Sequence, residues 1–332
     1  MKILPIILSL SLAVASPQQQ EPTQTLHSTA TLVLVPTLVR TASGELIPNL
    51  TAGDFRLTDN GVEQKVTVEQ LERQPLAVVV LLQTGATAPR QFPYYRNVGT
   101  LLDYMMGEAP HKVALITFDS QPEEIWDFPV RSDGISSAFA HPEPGDGGAA
   151  LLDAVGTAID VLERQPETYR RIILLLSQTH DTGSKATPEE IVQRLGKSNT
   201  TIYSVTFSPS KTWLKDQFTK PRHGNPPYQL SPNQPPIIGT FDLGTPLGVA
   251  LSAMRADTAS GIASLSGGED LQFSDKNDLE RQLSLLANHI PNRYTLSFRP
   301  TSSEPGFHRL QVQVLHQTVA TTVAARTAYW AR

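Results

Sequence analysis

The sequence predicts an α/β fold: a doubly wound, mostly parallel sheet with helices on both faces, joined to a small β module that the N- and C-terminal flanks build together. Three observations predict it. Residues 76–82 form a continuous apolar run, the mark of a strand buried on both faces of a parallel sheet, and further strands read at 113–118, 171–176 and 202–207. Stretches with apolar residues at helical spacing lie between them, at 94–106, 149–162 and 188–195. The two ends, 27–74 and 291–332, are instead rich in β-branched residues and turn signals. Alternating strands and helices imply βαβ units, whose ligands sit at the carboxyl ends of the strands near a topological switch point.

Taken in order, residues 1–15 read as a signal peptide. Lys2 gives a short positive region, residues 3–14 an apolar run, and Ala13-Val14-Ala15 a small-x-small cleavage site before Ser16. About 12 apolar residues fall short of the roughly 20 that span a bilayer. The expected location is therefore periplasmic, cell-surface or extracellular, with no membrane span in the mature chain. A polar leader follows at 16–26. Residues 27–74 form the N-terminal β module, with Asp59-Asn60-Gly61 as a tight hairpin signal. The α/β domain is expected over 75–290. Its 208–245 stretch is a Pro-rich insertion carrying Trp213, Phe218 and Tyr228 beside Lys211, Lys215, Lys220 and Arg222. An edge strand reads at 124–130, one helix at 247–264, a short strand at 271–273 and a helix at 278–290. Strands at 294–298, 309–315 and 319–329 close the chain and are expected to join the front module.

Composition removes several functions. The 332 residues contain no cysteine, which excludes disulfides, thiol catalysis and Cys-ligated metal centres. The mild acidity, a formal net charge of −5, argues against a phosphate-binding surface for nucleic acid. An exported protein without cysteine must be held by its core alone.

Gly53-Asp54-Phe55 with Asp59-Asn60-Gly61, the strand at 75–82, and the stretches at 146–154, 171–184 and 293–300, in that order, resemble the acidobacterial VWFA-related family of bacterial VWFA-domain proteins. Gly53-Asp54-Phe55 followed by Asp59-Asn60-Gly61-Val62-Glu63-Gln64 is similar to its front signature, and residues 75–82 to its first VWA strand. Residues 146–154 look like its Gly-Gly-Gly-Thr-Ala-Leu loop, and residues 171–184 like its third-strand segment. Ser266-Gly267-Gly268 and residues 293–300 match its closing stretches. The resemblance implies a metal-ion-dependent adhesion site: Asp-x-Ser-x-Ser after the first strand, a Thr from a second loop and an Asp from a third, all oxygen ligands for a hard divalent cation. Here the aspartate position holds Gln83, followed by Thr84, and the two serine positions hold Gly85 and Thr87. The loop threonine position holds Ala149, and the third-loop aspartate position holds Gln178. Asp181 lies three residues further on. The expectation is a degenerate site without metal or cofactor, whose loops (Gln83, Thr84, Gly85, Thr87, Ala149, Gln178 and Asp181) form a protein-binding surface.

Other motifs carry little. Asp181-Thr182-Gly183-Ser184 spells an aspartic protease signature, but that chemistry needs a second carboxylate and the sequence has no second copy. Ser208-Pro209-Ser210-Lys211 fits Ser-x-x-Lys without its Lys-Thr-Gly partner. The eight histidines show no metal-ligand spacing. The expected function is a non-enzymatic interaction or adhesion-type module. A hydrolase on the same scaffold, which would need a nucleophile–base pair at the strand ends, and a structural envelope component are the alternatives.

Overall fold

The computed structural model describes residues 32–69, 74–106, 110–130, 133–207, 246–302, 304–316 and 319–331. The signal peptide, the polar leader and the 208–245 insertion lie outside the described residues. The chain opens with β1 (Val33–Thr41), then β2 (Phe55–Asp59), β3 (Val62–Gln64) and β4 (Thr67–Glu69). Asn60 and Gly61 both take positive φ, 47° and 86°, the geometry a two-residue hairpin needs between β2 and β3.

The α/β part begins with β5 (Leu76–Gln83), whose eight residues are all buried. Next come α1 (Phe92–Tyr95), α2 (Val98–Met106), β6 (His111–Phe118), β7 (Pro122–Trp126), α3 (Asp133–Ala140) and α4 (Leu151–Glu163). Then follow β8 (Arg170–Gln178), α5 (Pro188–Ser198), β9 (Thr200–Phe207), α6 (Pro246–Ala256), α7 (Thr258–Ser266), β10 (Asp270–Phe273) and α8 (Lys276–His289). The central sheet runs β10-β9-β8-β5-β6-β7. All its pairings are parallel except β6 with β7.

Alternation along β5 sets the two layers. Ala77, Val79 and Leu81 face a core built with α4, α5, α6 and α7. Val78, Val80 and Leu82 face the other core, with Tyr95, Phe139, Leu279 and Leu283. The chain leaves β5 toward β6 and leaves β8 toward β9, in opposite directions. The switch point therefore falls between β5 and β8, and a crevice is expected at their carboxyl ends.

The flanks form two further antiparallel sheets. β11 (Tyr294–Phe298), β12 (Gly306–Val314), β13 (Thr321–Ala325) and β14 (Ala328–Ala331) complete the chain. One sheet is β13-β1-β11-β4 and the other β14-β12-β2-β3. They share a core of Val35, Leu57, Leu296, Phe298 and Leu310. The fold class is thus the expected one, including the β module drawn from both flanks.

Local departures have local causes. The single helix expected at 94–106 is two, α1 and α2, and the first opens with Pro93 in its first turn. The helix expected at 247–264 breaks at Asp257, whose extended backbone (φ −157°, ψ 105°) and side chain, accepting the Ser260 N–H at 2.9 Å, cap α7. The strand expected at 124–130 is β7, ending at Trp126, and Phe128 takes a φ of 45°. The last strand divides between the two flank sheets around Arg326. That buried guanidinium donates to the carbonyls of Leu34, Gly196 and Ala328 and to Asn199 Oδ1. Burial pushes its pKa down to about 10.

A second buried charge cluster lies behind β10. Glu269 is 8% exposed. It accepts from Arg293 at 2.7 Å and from His289 Nδ1 at 3.0 Å, and Arg40 of β1 approaches to 3.6 Å. The Arg293 guanidinium also lies over the Tyr203 ring, 5.1 Å from its centroid.

Candidate functional site

The expected crevice is where the loop after β5 meets the loop after β8. Gln83 is the last residue of β5 and fully buried; Gln178 is the last of β8 and nearly so. Their side chains bond across the switch point. Gln83 Nε2 donates to Gln178 Oε1 at 3.3 Å and to the Gly85 carbonyl at 3.1 Å. Gln83 Oε1 accepts the Gln178 backbone N–H at 2.8 Å, and Gln178 Nε2 donates to the His180 carbonyl at 2.9 Å. Each amide is hydrogen-bonded to the other or to the loop that follows its strand, through both its oxygen and its nitrogen.

The first loop is locked to a second one, over 145–150. Thr84 donates its hydroxyl to the Phe118 carbonyl at 3.0 Å, and its own carbonyl accepts the Gly145 N–H at 3.1 Å. Gly85 is buried against the same loop. A Cβ there would lie 2.3 Å from the Gly148 carbonyl oxygen, 2.8 Å from that of Asp146 and 2.6 Å from Asp119 Cβ. Thr87 follows, its buried hydroxyl without a hydrogen-bond partner among the described residues. Ala149 is fully buried and makes a two-bond antiparallel bridge with Thr182 (3.2 and 2.9 Å), joining the second loop to the third.

Asp181 sits in the third loop, where its Oδ1 accepts the Ser184 hydroxyl at 2.5 Å across the Thr182-Gly183 turn and the Leu152 N–H at 3.0 Å. It therefore caps the start of α4, where a carboxylate meets the positive end of the helix dipole. The structure brings all seven sequence-predicted residues to the three loops at the carboxyl edge of the sheet.

Two acidic residues of this region were not singled out from the sequence. Asp119, one residue beyond β6, is 3% exposed, and its Oδ2 accepts the Asp146 N–H at 2.9 Å. Asp146 in turn accepts from the Ser120 and Gly148 N–H groups at 3.1 and 2.7 Å. The Ser120 hydroxyl and these amides hold its carboxyl below the ordinary range. An aspartate directly after an apolar strand was the available signal. Nearby Glu123 is raised, by burial first and then by the charge of Asp119.

The donor set between β5 and β8 does not fit a divalent cation. Gln83 and Gln178 bring no negative charge, and each side-chain oxygen already accepts an N–H. Magnesium gives up water only to ligands that offset its charge. Asp181 is committed to α4. Among the described residues, no group of three or more Asp, Glu or His side chains is placed to hold a metal.

No protein-family model matches the chain, and no curated protein matches it in sequence. Its likenesses are to solved structures at low identity. Proximal thread matrix protein 1 from the mussel byssus is 10% identical, with a TM-score of 0.42 over 70% of this chain and 50% of that one. The chain thus spans half the length of the mussel protein. The conserved hypothetical protein BatB from Bacteroides thetaiotaomicron is 16% identical, with a TM-score of 0.40 over 64% of this chain and 97% of that one. The SpRpn10 VWA domain is 16% identical, with a TM-score of 0.31 over 40% of this chain and 75% of that one. The doubly wound class itself stands on the strand order and the burial of both sheet faces.

Proposed function

We propose that this chain is an exported, non-enzymatic interaction module of VWA type, of the acidobacterial VWFA-related kind, whose strand-end loops engage a protein partner without a metal bridge. The observation that carries the reading is the Gln83–Gln178 couple. It stands at the switch point between β5 and β8 and closes on itself through hydrogen bonds. Gly85 supports it, because a serine side chain there would collide with two backbone oxygens. Export is supported by the charged, apolar and small-residue pattern of residues 1–15. Isothermal titration with Mg²⁺ and Mn²⁺ tests the metal-free part. Heats at the level of dilution are expected; saturable binding near micromolar strength, abolished by Gln83→Leu, would overturn it.

One observation favours a second reading, a hydrolase. Thr179 Oγ1 lies 2.7 Å from His180 Nδ1, and His180 Nε2 lies 3.0 Å from the Ala256 carbonyl, so a hydroxyl, an imidazole and an orienting acceptor stand in line at the end of β8. The interaction reading expects no turnover of esterase or peptidase substrates. Turnover that disappears in Thr179→Val would establish the hydrolase instead.

A further inference from the structure

Two carboxylates meet at the corner between α6 and α7. Asp257 stands in the corner and accepts the Ser260 N–H at 2.9 Å. Asp270 opens β10, an edge strand of the central sheet, opposite Ser204 of β9. Ser204 ties the two places together. Its N–H donates to the Glu269 carbonyl at 2.8 Å and its hydroxyl to the Ala259 carbonyl at 3.1 Å. Asp270 is half-buried, and the one hydrogen bond its carboxylate accepts among the described residues comes from the Thr206 hydroxyl, at 3.3 Å.

The cations on the neighbouring elements are already paired. Glu269 holds Arg293, His289 and Arg40, and Arg255 at the end of α6 meets Glu189. On α8, Lys276 pairs with Glu280 and Arg281 with Asp278, while Asp275 accepts the Asp278 N–H at 3.0 Å. From the third loop, the His180 ring draws the Asp257 carboxyl down, but burial outweighs it and leaves the group raised. Both His180 nitrogens have partners, Thr179 Oγ1 and the Ala256 carbonyl. Two neighbouring carboxylates with no cation between them ionise together only against their repulsion. Burial, and after it the charge of Asp257, push the Asp270 carboxyl up to about 7, against the pull of the Thr206 bond.

The corner is fastened to the third loop. The Ala259 N–H donates to the Thr179 carbonyl at 3.0 Å, the Asp181 N–H to the Thr258 hydroxyl at 3.2 Å, and His180 Nε2 lies 3.0 Å from the Ala256 carbonyl. A displacement of the corner is therefore passed to residues 179–181. We propose that Asp257 and Asp270 form a proton-operated latch: one proton on the pair holds the corner against β9 and β10, and its loss sets two charges against each other and loosens the first turn of α7 with the third loop. The folded chain keeps a proton that the unfolded chain has already lost, so the latch is tightest in acid and weakens as pH rises through neutrality. That the loop faces a partner rests on the interaction reading above; the latch itself does not.

The test is a ¹H–¹⁵N NMR titration of the full chain between about pH 5 and pH 9, with no partner and no metal present. In wild type the amide signals of Thr179, His180, Asp181 and Ser260 are expected to shift together, with a midpoint near 7. Asp270→Asn imitates the protonated group and should hold these signals at their acid positions throughout. Asp257→Asn keeps a capping oxygen, and its midpoint should fall by at least about half a unit, because the like charge is gone. Circular dichroism checks that both variants fold. His180→Gln should leave the Ser260 shift in place. A shift that survives in Asp270→Asn, or that disappears in His180→Gln, would overturn the latch and assign the titration to the imidazole. Signals that stay flat across neutrality in wild type would also overturn it. Either failure leaves the metal-free interaction reading standing, since that reading is tested by the Mg²⁺ and Mn²⁺ titrations.

Discussion

Replacing Glu269 with Ala is expected to lower the stability of the chain by about 3–5 kcal/mol, the usual cost of removing one partner from a buried ion pair. Arg293, whose side chain is fully buried, would then keep its charge with no carboxylate beside it. The pH dependence gives a sharper test. Burial works to raise the Glu269 carboxyl, but Arg293, His289 and Arg40 overcome it and hold the group down at about 2, against an ordinary value of 4.5. A depressed carboxyl contributes stability that is complete above the unfolded value and is lost as pH falls toward the folded one. Wild type should therefore lose on the order of 3 kcal/mol through this group between about pH 5 and pH 2. Glu269→Gln should be less stable at pH 7 and show a flatter loss across that window. Urea unfolding at a series of pH values reads both. An identical acid limb in wild type and Glu269→Gln would show that the cluster does not govern acid stability.

Gly85→Ser is the second substitution with a large expected effect, and it bears on the site. A serine side chain would press on the carbonyl oxygens of Gly148 and Asp146 and on the Asp119 side chain. Backbone on both sides leaves little room to yield, so a loss of about 3 kcal/mol is expected, at the upper end of overpacking costs. The damage should spread to the Asp119–Asp146 bond and the Ala149–Thr182 bridge, which hold the same loop. Placing aspartates at both positions in the triple variant Gln83→Asp/Gly85→Ser/Gln178→Asp is then expected to give a less stable protein. Thermal unfolding with and without Mg²⁺ measures this. A triple variant at least as stable as wild type, and further stabilised by Mg²⁺, would show that the loops can open around an ion.

Much of the fold was legible because its signals are local. The unbroken apolar run of β5, short and Val-rich, reads as a strand covered on both faces. The Asn60-Gly61 turn fixes the β2–β3 hairpin by its positive φ angles. What escaped depends on long-range partners. The run over 319–329 reads as one strand until Arg326 finds the Leu34, Gly196 and Ala328 carbonyls, and the break lets the chain change sheets. Asp257 interrupts an apolar periodicity that would otherwise continue, because its side chain caps the second helix. The short α3 went unread. In the site, Gln83 and Gln178 were visible by their place at the ends of their strands. That Gln83 and Gln178 satisfy one another, and that Asp181 serves α4, became visible only with the strands side by side. Asp119 gave the same positional signal as Gln83 and was overlooked because the family pattern directs attention elsewhere.

The pairing of β1 carries a consequence for how the chain acquires its structure. Val33 lies opposite Phe298, and Thr41 opposite Thr321, so the first strand of the module waits for partners that lie well over two hundred residues further along the chain. The central sheet has no such delay, since β5 to β10 are complete by residue 273. Two kinetic phases should follow. A faster one assembles the α/β layers, and a slower one closes the module, because joining distant segments meets a larger loop-closure barrier. Until that second phase ends, β1, β4 and the β2–β3 hairpin lack their later partners β11, β12 and β13 and expose apolar faces, the condition most prone to aggregate. An emerging chain of this design gains most from a factor that shelters β1 to β4 rather than the central sheet.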